Sequence, residues 1–176
     1  MSISRIPSYL TLVPAPIALW PSAPAPTRIH PEVLPASEQD PETGVATRRA
    51  LMERLAMMGH LAERAPLSFL VVHLEAAGDD DDAAASPFAS VATKIRELTR
   101  ATDCVGRLRK DCFGVALQGT GVTAAGAVAA RLSHHLNRLE EITPQYAVSV
   151  SAATGTGANA LTLPSAAMHA FKAWCG

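Results

Sequence analysis

The residues with the clearest potential for ligand chemistry in this 176-residue chain are an arginine and an aspartate three positions apart. In the segment Arg100-Ala101-Thr102-Asp103, the guanidinium offers a planar fork of donors and the carboxylate offers acceptors. Such a pair can recognise the polar edge of a flat ring. The same two residues can instead form an ion pair at the end of a helix, and the spacing alone leaves both interpretations open.

Two other polar clusters are weaker candidates for binding a metal. Four consecutive aspartates, Asp79 to Asp82, could attract a cation, but a run of like charges in an alanine-rich segment is more typical of a solvated loop. His134 and His135 are consecutive, so on a helix their side chains project in different directions and make poor joint ligands. We therefore predict no metal site from either cluster.

The three cysteines, Cys104, Cys112 and Cys175, argue against a disulfide framework and against a zinc site, because their number is odd and none is in C-x-x-C spacing. They favour a reducing cytoplasm as the location of the protein. Cys112 could act as a nucleophile in principle, but the sequence shows no histidine and acid arranged to activate it. Packing is therefore the favoured role for Cys112.

Helices and strands must position these residues. The periodicity of the apolar side chains predicts them in the order α-β-α-β-β-α-β-α. Thr47 is placed to cap the first helix, whose apolar residues Leu51, Leu55, Met58 and Leu61 recur at helical spacing and form its expected buried face. Two short apolar runs on either side of a charged turn predict a β-hairpin. The pattern predicts an α+β sandwich, with a central, mostly antiparallel sheet flanked by helices. The predicted helices cover residues 48–64, 88–99, 123–138 and 165–174, and the predicted strands cover 67–74, 104–108, 113–117 and 146–152.

Proline divides the chain into two parts. Nine of the 13 prolines lie within the first 41 residues, so residues 1–38 are expected to form an extended, Pro-rich lead segment and residues 39–176 the folded domain.

The 15 basic and 16 acidic residues give a net charge of -1, which argues against nucleic acid or an anionic membrane as a partner. No run approaches the roughly 20 apolar residues of a transmembrane helix, and a secretory signal is not predicted.

Six segments match, in order and at similar spacing, the motifs of one family. They are Asp40-x-x-Thr43-Gly44-x-x-x-Arg48-Arg49, Leu70 to Glu75, Asp103 to Leu108, Arg109 to Phe113, Phe113 to Thr120, and Ala167 to Lys172. With these segments the chain resembles the GGDEF domain, the diguanylate cyclase domain of bacteria, from about Asp40 to the C-terminus. The resemblance implies a GGDEF-like, nucleotidyl-cyclase-like sandwich, in which the charged turn takes the place of the signature G-G-[DE]-E-F hairpin.

The resemblance also implies that the chemistry of the family is missing here. Diguanylate cyclases join two GTP molecules with divalent metal, which is held by the first acid of a D-x-D motif and by an acidic hairpin residue. Those positions are His73, Asp111 and Cys112 in this chain, so one acid remains. Arg109 and Lys110 replace the hairpin glycines and place long side chains where guanosine would lie, and the base-contacting segments F-K-x-x-N-D and G-H-x-x-G-D are absent. We therefore predict no catalytic residue, no metal, no cofactor and no enzyme activity.

The arginine–aspartate pair has a specific meaning in this family. Arg100 lies nine residues before the first hairpin position, Arg109, which is the offset of the family's R-x-x-D inhibitory site for cyclic di-GMP. The resemblance adds Arg131, on the helix after the hairpin, as a third ligand-binding residue. Arg100 would donate to guanine O6 and N7, Asp103 would accept from guanine N1 and N2, and Arg131 would bind the second guanine.

The favoured function is a non-catalytic GGDEF-like domain that acts as a cyclic di-GMP receptor or regulatory adaptor and signals through protein–protein contacts. We expect a protein partner, with the Pro-rich lead segment as the element that contacts it, and a homodimer is left open. The alternative is a ligand-free, degenerate GGDEF domain that serves as an interaction or scaffold domain. The expected location of either is the cytoplasm.

Overall fold

The computed structural model describes residues 34–61, 63–76, 86–140, 142 and 145–175, and it describes side chains as far as residue 170. Residues 1–33 of the predicted lead segment and the aspartates Asp79 to Asp82 lie outside the described residues. The predictions made for these two segments, and the domain boundary at residue 38, therefore stay predictions.

The order of helices and strands predicted from the sequence is confirmed. Two short 3-10 helices, Ala36–Glu38 and Gly157–Thr162, were not predicted. None of the helices among the described residues is long and apolar enough to span a membrane. The elements are α1 (Arg48–Leu61), β1 (Pro66–Ala76), α2 (Phe88–Leu98), β2 (Cys104–Arg109), β3 (Cys112–Gln118), α3 (Val122–Leu136), β4 (Tyr146–Thr156) and α4 (Leu163–Cys175).

The four strands form one sheet in the order β2-β3-β1-β4, and every neighbouring pair is antiparallel. β1 lies inside the sheet, between β3 and β4, and its side chains are buried on both faces. Leu70, Val72 and Leu74 face one hydrophobic cluster, whereas Phe69 and Val71 face another. This explains why β1 is a continuous apolar run rather than an alternating one, because both of its faces are covered.

Helices cover the sheet on both sides, which makes the fold an α+β sandwich as predicted. Residues of α1 and α4 build the cluster that contains Phe69, and residues of α2 and α3 build the cluster that contains Val72. The hairpin between β2 and β3 and the turn between α2 and β2 lie at edges of this arrangement, where polar side chains reach solvent.

A pair of glycines lets α1 approach the sheet closely. Gly106 and Gly114 lie opposite each other on β2 and β3, directly beneath Leu51. A Cβ atom on Gly106 would lie 2.7 Å from the Leu51 Cβ, and one on Gly114 would lie 2.6 Å from the Phe69 Cζ. The predicted cap of this helix is also present, since Thr47 Oγ1 accepts a 3.3 Å hydrogen bond from the Ala50 amide.

The buried face predicted for α1 is wrong in its last turn. Leu51 and Leu55 are fully buried and Met58 is half-buried, but Leu61 is 76% exposed. The helix also ends at Leu61, well before Pro66 and earlier than the predicted residue 64. The helical spacing identified a face of α1 correctly, but the core beneath that face ends before the helix does.

Candidate functional site

The hairpin between β2 and β3 turns through Lys110 and Asp111. The strand pairing is irregular between Arg107 and Arg109, where β2 carries one extra residue. No described residue other than glycine has a positive φ, so this turn closes without the backbone freedom of glycine. Arg109 and Lys110 are both exposed, which leaves two long basic side chains at the tip of the hairpin.

His73, on β1, contacts the hairpin at Asp111. The imidazole Nε2 lies 3.1 Å from the carboxylate Oδ2 of Asp111, within hydrogen-bond distance. The backbone holds this register, because His73 pairs with Cys112 and the Leu74 amide donates a 2.9 Å hydrogen bond to the Asp111 carbonyl. The structure therefore brings together two of the positions that the sequence assigned to a degenerate site.

Cys112 follows Asp111 in sequence but is buried, with 1% of its surface exposed. Burial, reinforced by the Asp111 carboxylate and opposed by Arg109, raises the pKa of the Cys112 thiol to about 12. A thiol with so high a pKa is protonated at neutral pH, which disfavours a role as a nucleophile. Cys112 belongs to the buried cluster that contains Leu51 and Phe69, which agrees with a packing role.

Arg107 ties the hairpin to the segment that precedes α1. Its Nη1 atom donates to Asp40 Oδ1 at 3.0 Å and to Glu42 Oε2 at 2.6 Å. Its guanidinium also lies over the ring of Phe88, 5.0 Å from the centroid, at the start of α2. With only 10% of its side chain exposed, Arg107 links three segments that are distant in sequence.

The same guanidinium binds the tip of the hairpin. Arg107 Nη2 donates to the Lys110 carbonyl at 2.8 Å, and Nε donates to the Arg109 carbonyl at 3.2 Å. Sequence analysis did not single out Arg107 as a functional residue. The sequence does place Arg107 two residues before the charged turn and Asp40 at the start of the first family motif. No spacing within either segment indicates that these two side chains meet.

The carboxylates bound by Arg107 stay ionised to low pH. Burial raises the pKa of Asp40, but hydrogen bonds from Thr43 and Arg107 outweigh it and hold the pKa below the ordinary 3.8. Hydrogen bonds from Ser86 and Arg107 likewise lower the pKa of Glu42, against a smaller effect of burial. The cluster is therefore fully charged at neutral pH.

The turn that follows α2 is closed by Asp103. Its Oδ2 atom accepts a 2.7 Å hydrogen bond from the Arg100 amide, and its own amide donates to the Arg100 carbonyl at 3.0 Å. The other carboxylate oxygen, Oδ1, is buried. The Arg100 residue is exposed. Asp103 thus shapes the turn through the main chain of Arg100, and this contact differs from the side-chain ion pair that the sequence left open.

Arg131 reaches the same end of α2 from the neighbouring helix α3. Its Nη2 atom donates a 2.7 Å hydrogen bond to the Leu98 carbonyl, at the last residue of α2. A cation is favourable there, because the helix C-terminus carries partial negative charge. Arg131 is exposed, so the structure places it near the Arg100–Asp103 turn rather than in the core or on the opposite surface.

The surroundings of Arg131 are positively charged. Burial, followed by the charges of His134, Lys94, Arg131 and Arg138, lowers the pKa of His135 below its ordinary 6.5. His135 is therefore largely neutral at pH 7, and each of these basic side chains lies close enough to affect it, although Lys94 is also paired with Glu97 at 2.6 Å. The described end of α2 and the adjoining face of α3 form a basic surface.

Comparison with known proteins identifies the family. The family model described as "Diguanylate cyclase, GGDEF domain" matches residues 37–170, which is most of the chain. The chain belongs to the GGDEF family. A search of curated protein sequences gives no significant match.

Solved GGDEF structures share the fold at low sequence identity. The GGDEF domain of FimX from Pseudomonas aeruginosa has a TM-score of 0.68 and 22% identity, with 80% of this chain and 96% of that chain covered. The GGDEF domain of DgcB from Caulobacter crescentus, in complex with c-di-GMP, has a TM-score of 0.62 and 16% identity, with 82% and 92% covered. The diguanylate cyclase SiaD from P. aeruginosa, in complex with its activator SiaC, has a TM-score of 0.61 and 20% identity, with 78% and 59% covered.

The three positions that the sequence analysis matched to the family's metal ligands can be tested for their fit to magnesium. His73 and Asp111 are hydrogen-bonded to each other, and the neighbouring Cys112 thiol is buried and protonated. Magnesium prefers several oxygen ligands in octahedral geometry, so one carboxylate beside an imidazole and a neutral thiol does not fit it. Within the described ranges, no group of three or more His, Cys, Asp or Glu side chains could hold a metal ion.

Proposed function

We propose that this GGDEF domain is a non-catalytic receptor for cyclic di-GMP that signals through contacts with a protein partner. The observation that supports the proposal is that the Arg100–Asp103 turn and the Leu98 carbonyl bound by Arg131 both lie at the C-terminal end of α2. The sequence motif supplies the first two residues, and the hydrogen bond to the Leu98 carbonyl brings Arg131 to the same end of the helix.

The chemistry of these side chains suits a guanine-containing dianion. The Arg100 guanidinium is exposed and can donate in a bidentate manner to O6 and N7 of guanine. In the observed conformation, guanine would meet the Asp103 carboxylate through Oδ2, because Oδ1 is buried. Arg131 would bind the second guanine, and the positive charge around His135 favours the two phosphates of the ligand. No resident cofactor is needed for this binding.

The absence of catalysis is part of the proposal. The bond between His73 and Asp111 supports it, because these groups satisfy each other where the family places metal ligands. Arg109 and Lys110 support it as well, because their exposed side chains stand at the tip of the hairpin where nucleotide would approach. A receptor of this kind must pass on its ligand state by contact, and SiaD, a GGDEF relative, forms a complex with the protein SiaC.

The cytoplasm is the proposed location of the protein. Cys104 and Cys112 are free thiols buried in the domain, and a reducing compartment keeps such thiols reduced. The lead segment is the proposed contact for the partner, since its prolines limit the entropy lost when it binds in an extended form.

Calorimetric titration of the full chain with cyclic di-GMP tests the proposal. Binding at micromolar concentration or tighter is expected, and Arg100→Ala should weaken it by roughly 5- to 150-fold, the effect of about 1–3 kcal/mol from one bidentate contact. Arg49→Ala is the matched control, because Arg49 is exposed on α1 and its ion-pair contact is Glu53. Absence of both heat and thermal shift at high ligand concentration would refute the receptor function.

A ligand-free interaction domain is the second candidate, and one observation favours it. The hydrogen bond from the Arg100 amide to Asp103 gives the R-x-x-D motif a structural role that needs no ligand. If Asp103→Ala lowers the stability of the chain while the native protein does not bind cyclic di-GMP, the motif serves the turn alone. Incubation of the native protein with GTP and magnesium separates both candidates from a cyclase, since neither should form a cyclic dinucleotide.

A further inference from the structure

An open groove of about 660 Å³ runs between α1 and the turn from α2 to β2. Met57, Met58 and Leu61 form the apolar part of the α1 wall, which also contains Glu53 and Arg54, and Leu34 lines the groove as well. The opposite wall includes the Arg100–Asp103 turn through residues 101–103. The groove thus shares Asp103 with the proposed ligand site, and its other wall is formed by side chains of α1.

The apolar wall of this groove is exposed to an unusual degree for large side chains. Met57 is 60% exposed and Leu61 is 76% exposed, and they are four residues apart on one face of α1. Single exposed apolar residues are ordinary, but adjacent ones lining a groove are typical of a surface that another segment covers.

The chain itself supplies a segment of suitable chemistry. Leu34, the first described residue, lines the groove and packs against the cluster that contains Leu51 and Phe69. The residues before it therefore begin at the groove. Among these, residues 6–27 contain no charged side chain and include a concentration of large apolar residues: Tyr9, Leu10, Leu12, Val13, Ile17, Leu19 and Trp20.

The length of the lead segment allows it to return to the groove. The 14 steps from Leu34 back to Trp20 span up to about 43 Å in a polyproline II conformation, at about 3.1 Å per residue. The part of α1 that lines the groove, from Ala50 to Leu61, is about 17 Å long, at about 1.5 Å per residue. The segment can therefore turn back and lie along α1 without strain.

We propose that residues 9–20 of the lead segment bind in this groove, against Met57, Met58 and Leu61 of the same chain. The covalent link keeps the local concentration of the segment high, so a modest apolar contact is enough to hold it. The prolines lower the conformational entropy that is lost on binding. The proposal does not depend on cyclic di-GMP, because it rests on the apolar residues of the groove and on the position of Leu34. A partner that contacts the lead segment would compete with this intramolecular contact.

Trp20 is a reporter for this contact. The chain has two tryptophans, so in the full-length Trp174→Phe variant the fluorescence comes from Trp20. We expect a blue-shifted emission and weak quenching by acrylamide in this background. The double change Met57→Glu and Leu61→Glu should shift the emission to the red and increase quenching. Val122→Glu is the control, because Val122 is 40% exposed on α3 and does not line the groove.

Three results would overturn the proposal. The first is a solvent-exposed Trp20 in the unmodified groove, and the second is an emission that the two glutamates leave unchanged. The third is an emission shift that depends on protein concentration, which would mean that the segment binds a second copy of the chain. Circular dichroism checks that each variant is folded. If Trp174→Phe unfolds the protein, the difference spectrum between the native chain and its Trp20→Phe variant supplies the same signal.

Discussion

The imidazole of His73 and the carboxylate of Asp111 lie 3.1 Å apart, where a strand of the sheet meets the tip of the β2–β3 hairpin. In GGDEF domains with the family motifs, acidic residues occupy these two places. Two carboxylates at these positions would repel each other unless a cation lay between them. With His73 at the first position, the imidazole and the Asp111 carboxylate form a hydrogen bond with each other instead. The His73–Asp111 hydrogen bond, together with the hydrogen bonds from Arg107 to the Arg109 and Lys110 carbonyls, holds the tip of the hairpin in place.

Replacement of this histidine by an acid should recreate the need for a cation. His73→Asp places two carboxylates side by side, and we expect a loss of about 1 kcal/mol in the free energy of unfolding, or roughly 3 °C in Tm. Millimolar magnesium should restore part of that loss. His73→Asn, which adds no charge, should show no response to magnesium. An equal rise in the Tm of the native protein with magnesium would contradict the poor fit of the native site to this metal.

Removal of Arg107 should destabilise the domain more than removal of an exposed arginine. Arg107→Ala leaves Asp40 and Glu42 without their shared cation and frees the hairpin tip from two hydrogen bonds. We expect a loss of about 2 kcal/mol in the free energy of unfolding, measured by urea denaturation at neutral pH. Arg48→Ala, on the exposed surface of α1, should change it by less than about 0.5 kcal/mol. Similar losses for the two variants would show that the Arg107 cluster adds no net stability.

Much of the fold could be predicted from the sequence because local patterns carry it. The continuous apolar run of β1 reflects two covered faces, and the charged turn between short apolar runs reflects the hairpin. The face of α1 was only partly predictable. Periodicity shows which residues share a face, but it does not show where the sheet beneath ends, so Leu61 was wrongly assigned to the core.

The candidate site was less predictable, because its contacts join distant segments. Arg107 and Asp40 are 67 residues apart, and no local spacing indicates that their side chains meet. The hydrogen bond from Arg131 to the Leu98 carbonyl depends on how α3 packs against α2. Asp103 was unpredictable for a different reason. The R-x-x-D motif suggests a contact between two side chains, but the Asp103 carboxylate accepts its hydrogen bond from the backbone amide of Arg100.

The Arg107 cluster should make the stability of the domain sensitive to acid. The pKa of Asp40 is lowered in the folded protein, so its stabilising effect is fully present above the unfolded value of about 3.8 and is lost as the pH falls through the lower, folded value. We expect the free energy of unfolding, measured by urea denaturation, to drop as the pH falls below about 4. Asp40→Asn should be less stable at neutral pH and should show a shallower drop. Parallel curves for the two proteins would exclude Asp40 as a source of the dependence.

Binding of cyclic di-GMP, if the proposed receptor function holds, should strengthen as the pH falls below about 6.5. His135 is largely neutral at pH 7, because burial and the neighbouring positive charges, Arg131 among them, lower its pKa. Protonation at lower pH adds a positive charge beside Arg131, and a dianionic ligand gains from that charge. The His135→Ala variant should bind with an affinity that changes less over the same range, measured by calorimetry at constant ionic strength.

Arg131→Ala should weaken binding at every pH and should raise the pKa of His135, which NMR titration of the imidazole measures without any ligand. If the pKa of His135 rises but binding is unaffected, the basic surface is as described and Arg131 is not a ligand-binding residue.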